Sequence, residues 1–207
     1  YQMELSSIPE TNTPPPPLFP LLPPDPVNGK KIFLEQCAEC HGNRGLGDGS
    51  RAQNLPNPPA PIGSFQLASQ AVPANWFNVI SQGNMGKNMP AFPGLTDRQR
   101  WDVVAYALSL SVTEQQLELG RTIFIEQCAG CHGEDGRGSG EHAENIQPQN
   151  LTRLDFQAGR ANNIIFNIIR DGGSPEMPAF GTRLSDDEIW AVSSYIRQLG
   201  YNLGNNF

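Results

Sequence analysis

The chain has 207 residues, a net charge of -7 and 17% charged residues, and 21 glycines and 19 prolines accompany its 38% hydrophobic residues. Length alone allows one or two domains, and no stretch approaches the roughly 18 apolar residues that a membrane-spanning helix needs. We therefore expect short helices joined by long loops, no transmembrane segment in this chain, and a core too thin to stand without added apolar volume.

Residues 1–26 form a Pro-rich zone, because nine of the nineteen prolines fall between Pro9 and Pro26. Such a composition favours polyproline II at about 3.1 Å per residue. We predict an extended N-terminal segment, either a spacer or a strap to a stable partner. The chain starts at Tyr1 without a signal-peptide pattern, so we expect it to be already processed.

From residue 27 onward the chain repeats itself. Residues 28–37 match residues 119–128 at an offset of 91, and Met-Pro-Ala-Phe at 89–92 returns at 177–180 at an offset of 88. We predict two tandem domains of one fold: residues 27–112, called the first repeat here, and residues 113–207, the second repeat.

Each repeat is predicted to contain three main helices. The first carries Gly29, Phe33 and Cys37 at i, i+4 and i+8, which is one helix face. The middle helices are predicted around residues 75–82 and 163–170, each ending near a glycine. The last helices are predicted to begin at the N-caps Thr96 and Ser185.

A Cys-x-x-Cys-His motif follows each first helix, at residues 37–41 and 128–132. Residues three and four apart share a helix face, so both thiols and the imidazole point into one space. The spacing is typical of c-type haem attachment. Zinc, an iron-sulfur cluster or disulfides are alternatives, but they leave the repeated histidine unexplained. We predict two covalently bound haem c groups, attached through Cys37, Cys40, Cys128 and Cys131.

Glycine-rich loops follow both motifs, at residues 42–49 and 133–140. Neither loop has the Gly-Lys-Ser/Thr ending of a phosphate-binding loop. We therefore predict turns packed close to each haem.

The second ligand of each iron is predicted to be methionine. Met89 and Met177 are matched, and each is followed by a proline that restricts it to extended geometry. A buried core methionine is the alternative. Met3 lies in the tail, and Met85 has no methionine counterpart. The predicted axial pairs are His41 with Met89 and His132 with Met177.

The third histidine, His142, has no counterpart in the first repeat, and we expect it to be a solvent-facing loop residue. Three histidines are too few for bis-histidine ligation at both irons.

This order of motifs resembles class I cytochrome c, and the tandem arrangement resembles dihaem cytochromes of the cytochrome c4 type over residues 27–200. The resemblance implies an all-α fold of two small helical globules, each around one haem. It also implies that each haem-binding histidine donates its second N–H to a backbone carbonyl, near Pro58 in the first repeat and near Pro148 in the second. The Pro-rich extension is not part of the pattern.

These observations predict a dihaem c-type cytochrome that transfers single electrons between redox protein partners in the periplasm or on the outer face of the cytoplasmic membrane. It is expected to be a free carrier or a subunit of a membrane-associated respiratory or photosynthetic complex, with a stable partner held through residues 1–26. No catalytic residue and no nucleic-acid partner are expected. The alternative is a dihaem enzyme of the peroxidase or thiosulfate dehydrogenase type, which needs one iron with an open site.

Charge is distributed unevenly over the repeats. Residues 26–113 hold seven basic and five acidic residues, whereas residues 114–207 hold seven and thirteen. Such asymmetry orients diffusional encounters, so we expect a mobile basic partner to prefer the second repeat.

Overall fold

The computed structural model describes residues 18–201, and every regular element in that range is helical, which confirms the all-α prediction. None of the helices in this range is both long and apolar enough to cross a bilayer. Most of the predicted Pro-rich segment, with Met3, lies outside the described residues. The helices are α1 Pro26–Gln36, α2 Ala38–His41, α3 Phe65–Ala68, α4 Pro73–Gln82, α5 Asp97–Ser109, α6 Glu114–Gln127, α7 Ala129–His132, α8 Leu154–Gly159, α9 Asn162–Asp171 and α10 Asp186–Tyr201.

The predicted N-caps of the last helices are confirmed. The Thr96 hydroxyl accepts a hydrogen bond from the Gln99 amide, and the Gln99 side chain accepts one from the Thr96 amide at 2.9 Å. Ser185 and Glu188 form the same reciprocal pair at the start of α10. These capping boxes satisfy amides that the helix itself leaves without partners.

Glycine allows the first and last helix of each repeat to cross closely. A Cβ atom on Gly29 would lie 2.0 Å from the carbonyl oxygen of Asp102, and one on Gly120 would lie 2.1 Å from that of Ala191. No side chain fits at either point, so α1 packs on α5 and α6 packs on α10 in the same way.

Aromatic pairs extend both crossings. The ring centroids of Phe33 and Tyr106 are 5.3 Å apart in an edge arrangement. Those of Phe124 and Tyr195 are also 5.3 Å apart. Each pair therefore connects the first helix of a repeat to the last one just before the Cys-x-x-Cys-His motif.

The middle helices begin earlier than predicted. α4 starts at Pro73, which fits the first position of a helix because its missing N–H has no partner there anyway. α9 starts at Asn162, one residue before the predicted range. Both end at glycines with positive φ, Gly83 at 75° and Gly172 at 87°.

The two repeats share a buried apolar cluster. Phe77, Trp101 and Leu108 of the first repeat pack in it together with Ala158 and Tyr201 of the second. The indole of Trp101 stacks on Phe77 with centroids 4.6 Å apart. Burial of these side chains stabilises the contact between the repeats.

A second set of contacts joins α3 to the second repeat. The Phe65 ring meets the Trp190 indole edge-on at 4.9 Å between centroids. The Asn163 amide donates a 2.8 Å hydrogen bond to the carbonyl of Ser69. The repeats are therefore joined by backbone as well as side-chain contacts.

The end of the N-terminal segment is attached to the first repeat. Pro20 and Pro24 are buried, and Phe19 packs against the shared cluster. Between the two prolines, Leu21 and Leu22 are 89% and 63% exposed. The segment therefore alternates between anchored and outward-facing residues.

Candidate haem sites

Each Cys-x-x-Cys-His motif forms a short helical turn, α2 or α7, that directly follows a longer helix. Cys37 ends α1, where its amide donates to the Phe33 carbonyl at 2.8 Å, and the His41 amide then donates to the Cys37 carbonyl at 2.9 Å. The corresponding distances at Cys128 and His132 are both 2.9 Å. The thiols and imidazole of each motif are thus held on one short helical turn, as the spacing predicts.

The first thiol of each motif faces an apolar environment. Burial and the neighbouring thiol of Cys40 raise the pKa of the Cys37 thiol to about 11. Burial and the neighbouring thiol of Cys131 raise the pKa of the Cys128 thiol to about 12, against an opposite effect of Arg183. Both shifts reflect the apolar surroundings of the first thiol of each motif, an environment that suits the edge of an apolar macrocycle.

A shared metal site does not fit the positions of the cysteines. Within residues 18–201, no three His, Cys, Asp or Glu side chains converge to hold a metal ion, and all four thiols are unpaired. The described residues therefore contain neither a preformed cluster of metal ligands nor a disulfide.

Backbone carbonyls orient both imidazoles, as expected. The Nδ1 atom of His41 donates to the Ala60 carbonyl at 3.3 Å, and that of His132 donates to the Gln149 carbonyl at 3.1 Å. These acceptors are two residues after Pro58 and one after Pro148, which confirms the predicted type of partner. The hydrogen bond leaves Nε2 free to bind iron.

Burial also favours the ligating form of these rings. It lowers the pKa of His41 and of His132, against a smaller opposite effect of the hydrogen bond to the carbonyl. The neutral imidazole, which is the form that binds iron, is therefore the stable form at neutral pH.

The glycine-rich loops fold back over the motifs. The Gly47 amide donates to the His41 carbonyl at 2.8 Å, and the Gly138 amide donates to the His132 carbonyl at 2.7 Å. A Cβ atom on Gly49 would lie 2.4 Å from the Glu39 carbonyl oxygen. The loops thus pack too closely against α2 and α7 for a side chain at these points.

The Met89 loop is attached to the middle helix by backbone hydrogen bonds. Met89 and Asn84 exchange two of them, at 2.7 and 3.0 Å, and the Phe92 amide donates to the Ile80 carbonyl at 3.0 Å. Phe92 also packs on the cluster that contains Cys37. The half-buried Met89 is therefore held at a fixed position, whereas Met85 is 75% exposed.

The Met177 loop has the same attachment. Met177 and Ser174 form the matching bridge, and the Phe180 amide donates to the Ile169 carbonyl at 3.0 Å. The half-buried Met177 packs against the same core as Cys128. The structure thus brings a thiol and a thioether of the second repeat to one core. His142 is exposed, as expected.

Sequence patterns did not indicate one buried polar network. The Arg197 side chain is 3% exposed and donates to the carbonyl and side-chain oxygens of Gln157 and to Asn162. Burial lowers the pKa of this guanidinium to about 10. The only signal in the sequence is that Arg197 matches Leu108 of the first repeat.

Helical topology, paired motifs and histidine hydrogen bonds together define a c-type cytochrome in each half of the chain. Residues 26–111 match the family model "Cytochrome c", and residues 115–196 match "Cytochrome C oxidase, cbb3-type, subunit III". The chain belongs to the c-type cytochromes: it is a tandem of two class I cytochrome c domains with two covalent haem c groups.

Several known proteins are similar to this chain over most of its length. The cbb3-type cytochrome c oxidase subunit FixP of Azorhizobium caulinodans is 32% identical over 183 residues, covering 84% of this chain and 59% of that protein. Subunit CcoP of Azospirillum brasilense is 28% identical over 190 residues, covering 84% and 62%. The chain thus spans less than two thirds of these relatives. A reducing HAO-like protein complex of Kuenenia stuttgartiensis contains a chain that is 28% identical, with a TM-score of 0.39, covering 83% of this chain and 95% of that one.

Proposed function

We propose that this chain carries single electrons between redox protein partners as a subunit of a membrane-associated respiratory complex. The observation that carries the proposal is that each repeat has a histidine oriented by a backbone carbonyl and a methionine loop bridged to a residue shortly after the middle helix. An iron with both ligands in place has no position for a substrate. The cofactor supplies the one-electron couple, which Met/His ligation raises in potential.

In this proposal the domain boundary falls between residues 112 and 113, and the thioethers form at Cys37 and Cys40 and at Cys128 and Cys131. The axial pairs are His41 with Met89 and His132 with Met177. The carbonyls of Ala60 and Gln149 fix the rings, and the buried helix crossings exclude water from one side of each site.

Spectroscopy of methionine variants tests the axial pairs. Met89→Ala and Met177→Ala should each remove the methionine-to-iron charge-transfer band of one haem only. Met85→Ala is the matched control and should leave both bands, because the Met85 side chain is exposed. If both bands survive in the Met89→Ala, Met177→Ala double variant, the ligand assignment is wrong.

A dihaem enzyme is the second candidate. The proposal that the chain has no catalytic residue requires that both axial positions of each iron are occupied by protein ligands. Carbon monoxide should bind the reduced protein slowly, and cyanide should bind the oxidised protein slowly. Rapid binding at one haem would instead favour a peroxidase or thiosulfate dehydrogenase.

We place the protein in the periplasm or on the outer face of the cytoplasmic membrane, with a stable partner contacting residues 1–26. The similar proteins FixP and CcoP are named as subunits of a cbb3-type cytochrome c oxidase, which supports the proposal that this chain belongs to a complex. Because Pro24 is buried and the Asp25 carboxylate caps α1, a truncation should stop at residue 17. Loss of co-purification with unchanged haem spectra is expected; retention of the partner would contradict a docking role for residues 1–17.

A further inference from the structure

The solvent-exposed side of helix α1 carries both apolar residues and lysines. Its other side, with Gly29 and Phe33, is buried against α5. Outward-facing Val27 and Leu34 are 38% and 42% exposed. The exposed lysines, Lys30 and Lys31, lie between them, because positions i, i+3, i+4 and i+7 share a helix face.

The chain just before α1 continues this apolar character. Leu21 and Leu22 lie between the buried Pro20 and Pro24, and they are 89% and 63% exposed. The Asp25 amide donates a 2.7 Å hydrogen bond to the buried Asp102 carboxylate, so the segment is held at its end. The leucines are thus exposed side chains on a segment that is held to the first repeat at Asp25.

We propose that this surface rests on an anionic lipid membrane. The inference adds a membrane-binding surface to the proposed complex subunit and rests on that proposal for its context. The residues of this surface, called the α1 face, are Leu21, Leu22, Val27, Lys30, Lys31 and Leu34.

Composition favours lipid over a protein partner. Protein interfaces are enriched in aromatic residues, methionine and arginine and depleted in lysine, whereas the α1 face has only aliphatic residues and lysines. All three lysines of the chain, Lys30, Lys31 and Lys87, lie in the first repeat, and every cation of the second repeat is an arginine. Lysine stems can bury beside apolar groups while their ammonium groups reach phosphate.

Two acidic groups border the α1 face. The Asp25 carboxylate accepts hydrogen bonds from the amides of Val27 and Asn28, so the helix N-terminus already compensates it. Glu35 is exposed at the edge of the face, beside Lys31. Membrane attraction therefore depends on the two lysines acting together with the exposed leucines.

The second repeat offers a natural comparison. At the positions of Val27 and Lys30, helix α6 has Glu118 and Arg121, whose side chains form an ion pair at 3.7 Å. The ion pair therefore adds no net charge to this part of α6. The excess acid of the second repeat would also turn that repeat away from an anionic membrane, toward mobile partners.

Flotation of the holoprotein with vesicles tests the proposal. We compare phosphatidylcholine vesicles with vesicles that also contain phosphatidylglycerol, at low and high salt. Wild type should float with the anionic vesicles at low salt and less at high salt. Lys30→Gln, Lys31→Gln should lower the partition coefficient about thirtyfold, and Leu21→Ser, Leu22→Ser should lower it on the order of tenfold or more.

The matched control is Glu118→Gln, Arg121→Gln in α6, which should bind vesicles as wild type does. Haem spectra and elution volume are recorded for every variant. Absence of wild-type flotation, or equal flotation of the lysine or leucine variants, would overturn the proposal. Formation of a homodimer would also overturn it. The same holds for a co-purifying protein that is lost in these variants while the protein binds no vesicles. Loss of a haem band in Met89→Ala leaves flotation unaffected, so failure of the ligand assignment remains distinguishable.

Discussion

The backbone amide of Asp25 donates a 2.7 Å hydrogen bond to the side chain of Asp102, a residue that is only 1% exposed. The same carboxylate accepts from Nδ2 of Asn28 at 2.8 Å and pairs with Nε of Arg98 at 3.0 Å. Ala191 occupies the matching position of the second repeat. This network therefore has no counterpart in the second repeat.

Asp102→Ala should destabilise the first repeat by about 2–4 kcal/mol, because it leaves the donors of Asp25 and Asn28 unsatisfied. Urea denaturation of the holoprotein, followed by circular dichroism, measures the loss. Glu35→Gln on the exposed side of α1 is the control and should change stability by less than about 0.5 kcal/mol. Equal stability of Asp102→Ala and wild type would show that the carboxylate does not hold the segment.

The glycines at the helix crossings give a second prediction. Gly29→Ala and Gly120→Ala should each cost about 2–4 kcal/mol or prevent folding, because the added Cβ atom overlaps a carbonyl oxygen of the opposite helix. Gly159→Ala is the matched control in α8: outside its chain neighbours and the backbone of its own helix, no heavy atom lies within 4 Å of its Cβ position. That variant should be neutral or slightly stabilising, and thermal unfolding distinguishes the two classes.

The repeat made much of the fold predictable, because matched residues such as Gly29 and Gly120 had to serve the same packing in both halves. The capping residues Thr96 and Ser185 were predictable for a local reason, since both precede acidic first turns. The pairing of each haem motif with a methionine rests on their order along the chain and stays a prediction.

Other features could not be predicted from a single sequence. Helix α3 has only four residues, too few to show a period, although Ser64 caps it. The contact between Phe65 and Trp190 depends on how the repeats pack, which no local pattern encodes. Arg197 and Gln157 are polar residues at buried positions. The hydrophobic pattern of a sequence marks buried positions by their apolar residues, so it could not identify these two.

A third prediction concerns that buried pair. Arg197→Leu installs the residue of the first repeat but leaves the Gln157 side-chain oxygen without its 2.9 Å partner. We expect a loss of about 2–4 kcal/mol. In a double-mutant cycle with Gln157→Ala, the two losses should fail to add by about 0.5–3 kcal/mol. Strict additivity in urea unfolding would mean that the two side chains act independently.

The fourth prediction addresses the contact between repeats. Phe65→Ala removes the edge-on contact with Trp190, and aromatic pairs contribute about 0.5–1.5 kcal/mol beyond buried area. Limited proteolysis near residues 110–113 should become faster, because the repeats separate more often. Leu119→Ala, an exposed position of α6 at 42%, is the control and should be cleaved at the wild-type rate. Unchanged cleavage of Phe65→Ala would contradict a role in joining the repeats.

The last prediction follows from the charge difference between the repeats. Glu134 and Glu141 are exposed in the loop after the second haem motif, where the first repeat has Asn43 and Ser50. Electron transfer with a small basic redox protein should slow as salt rises, because long-range attraction is screened.

Glu134→Gln, Glu141→Gln should lower the second-order rate constant at low salt by a factor of about 2–10 and flatten its salt dependence, since fewer charges steer the encounter. Stopped-flow absorbance measures this rate. Glu35→Gln, Glu39→Gln in the first repeat removes the same number of charges near the other haem motif. If both double variants slow the reaction equally, net charge alone governs the encounter, and the second repeat is not the preferred docking side.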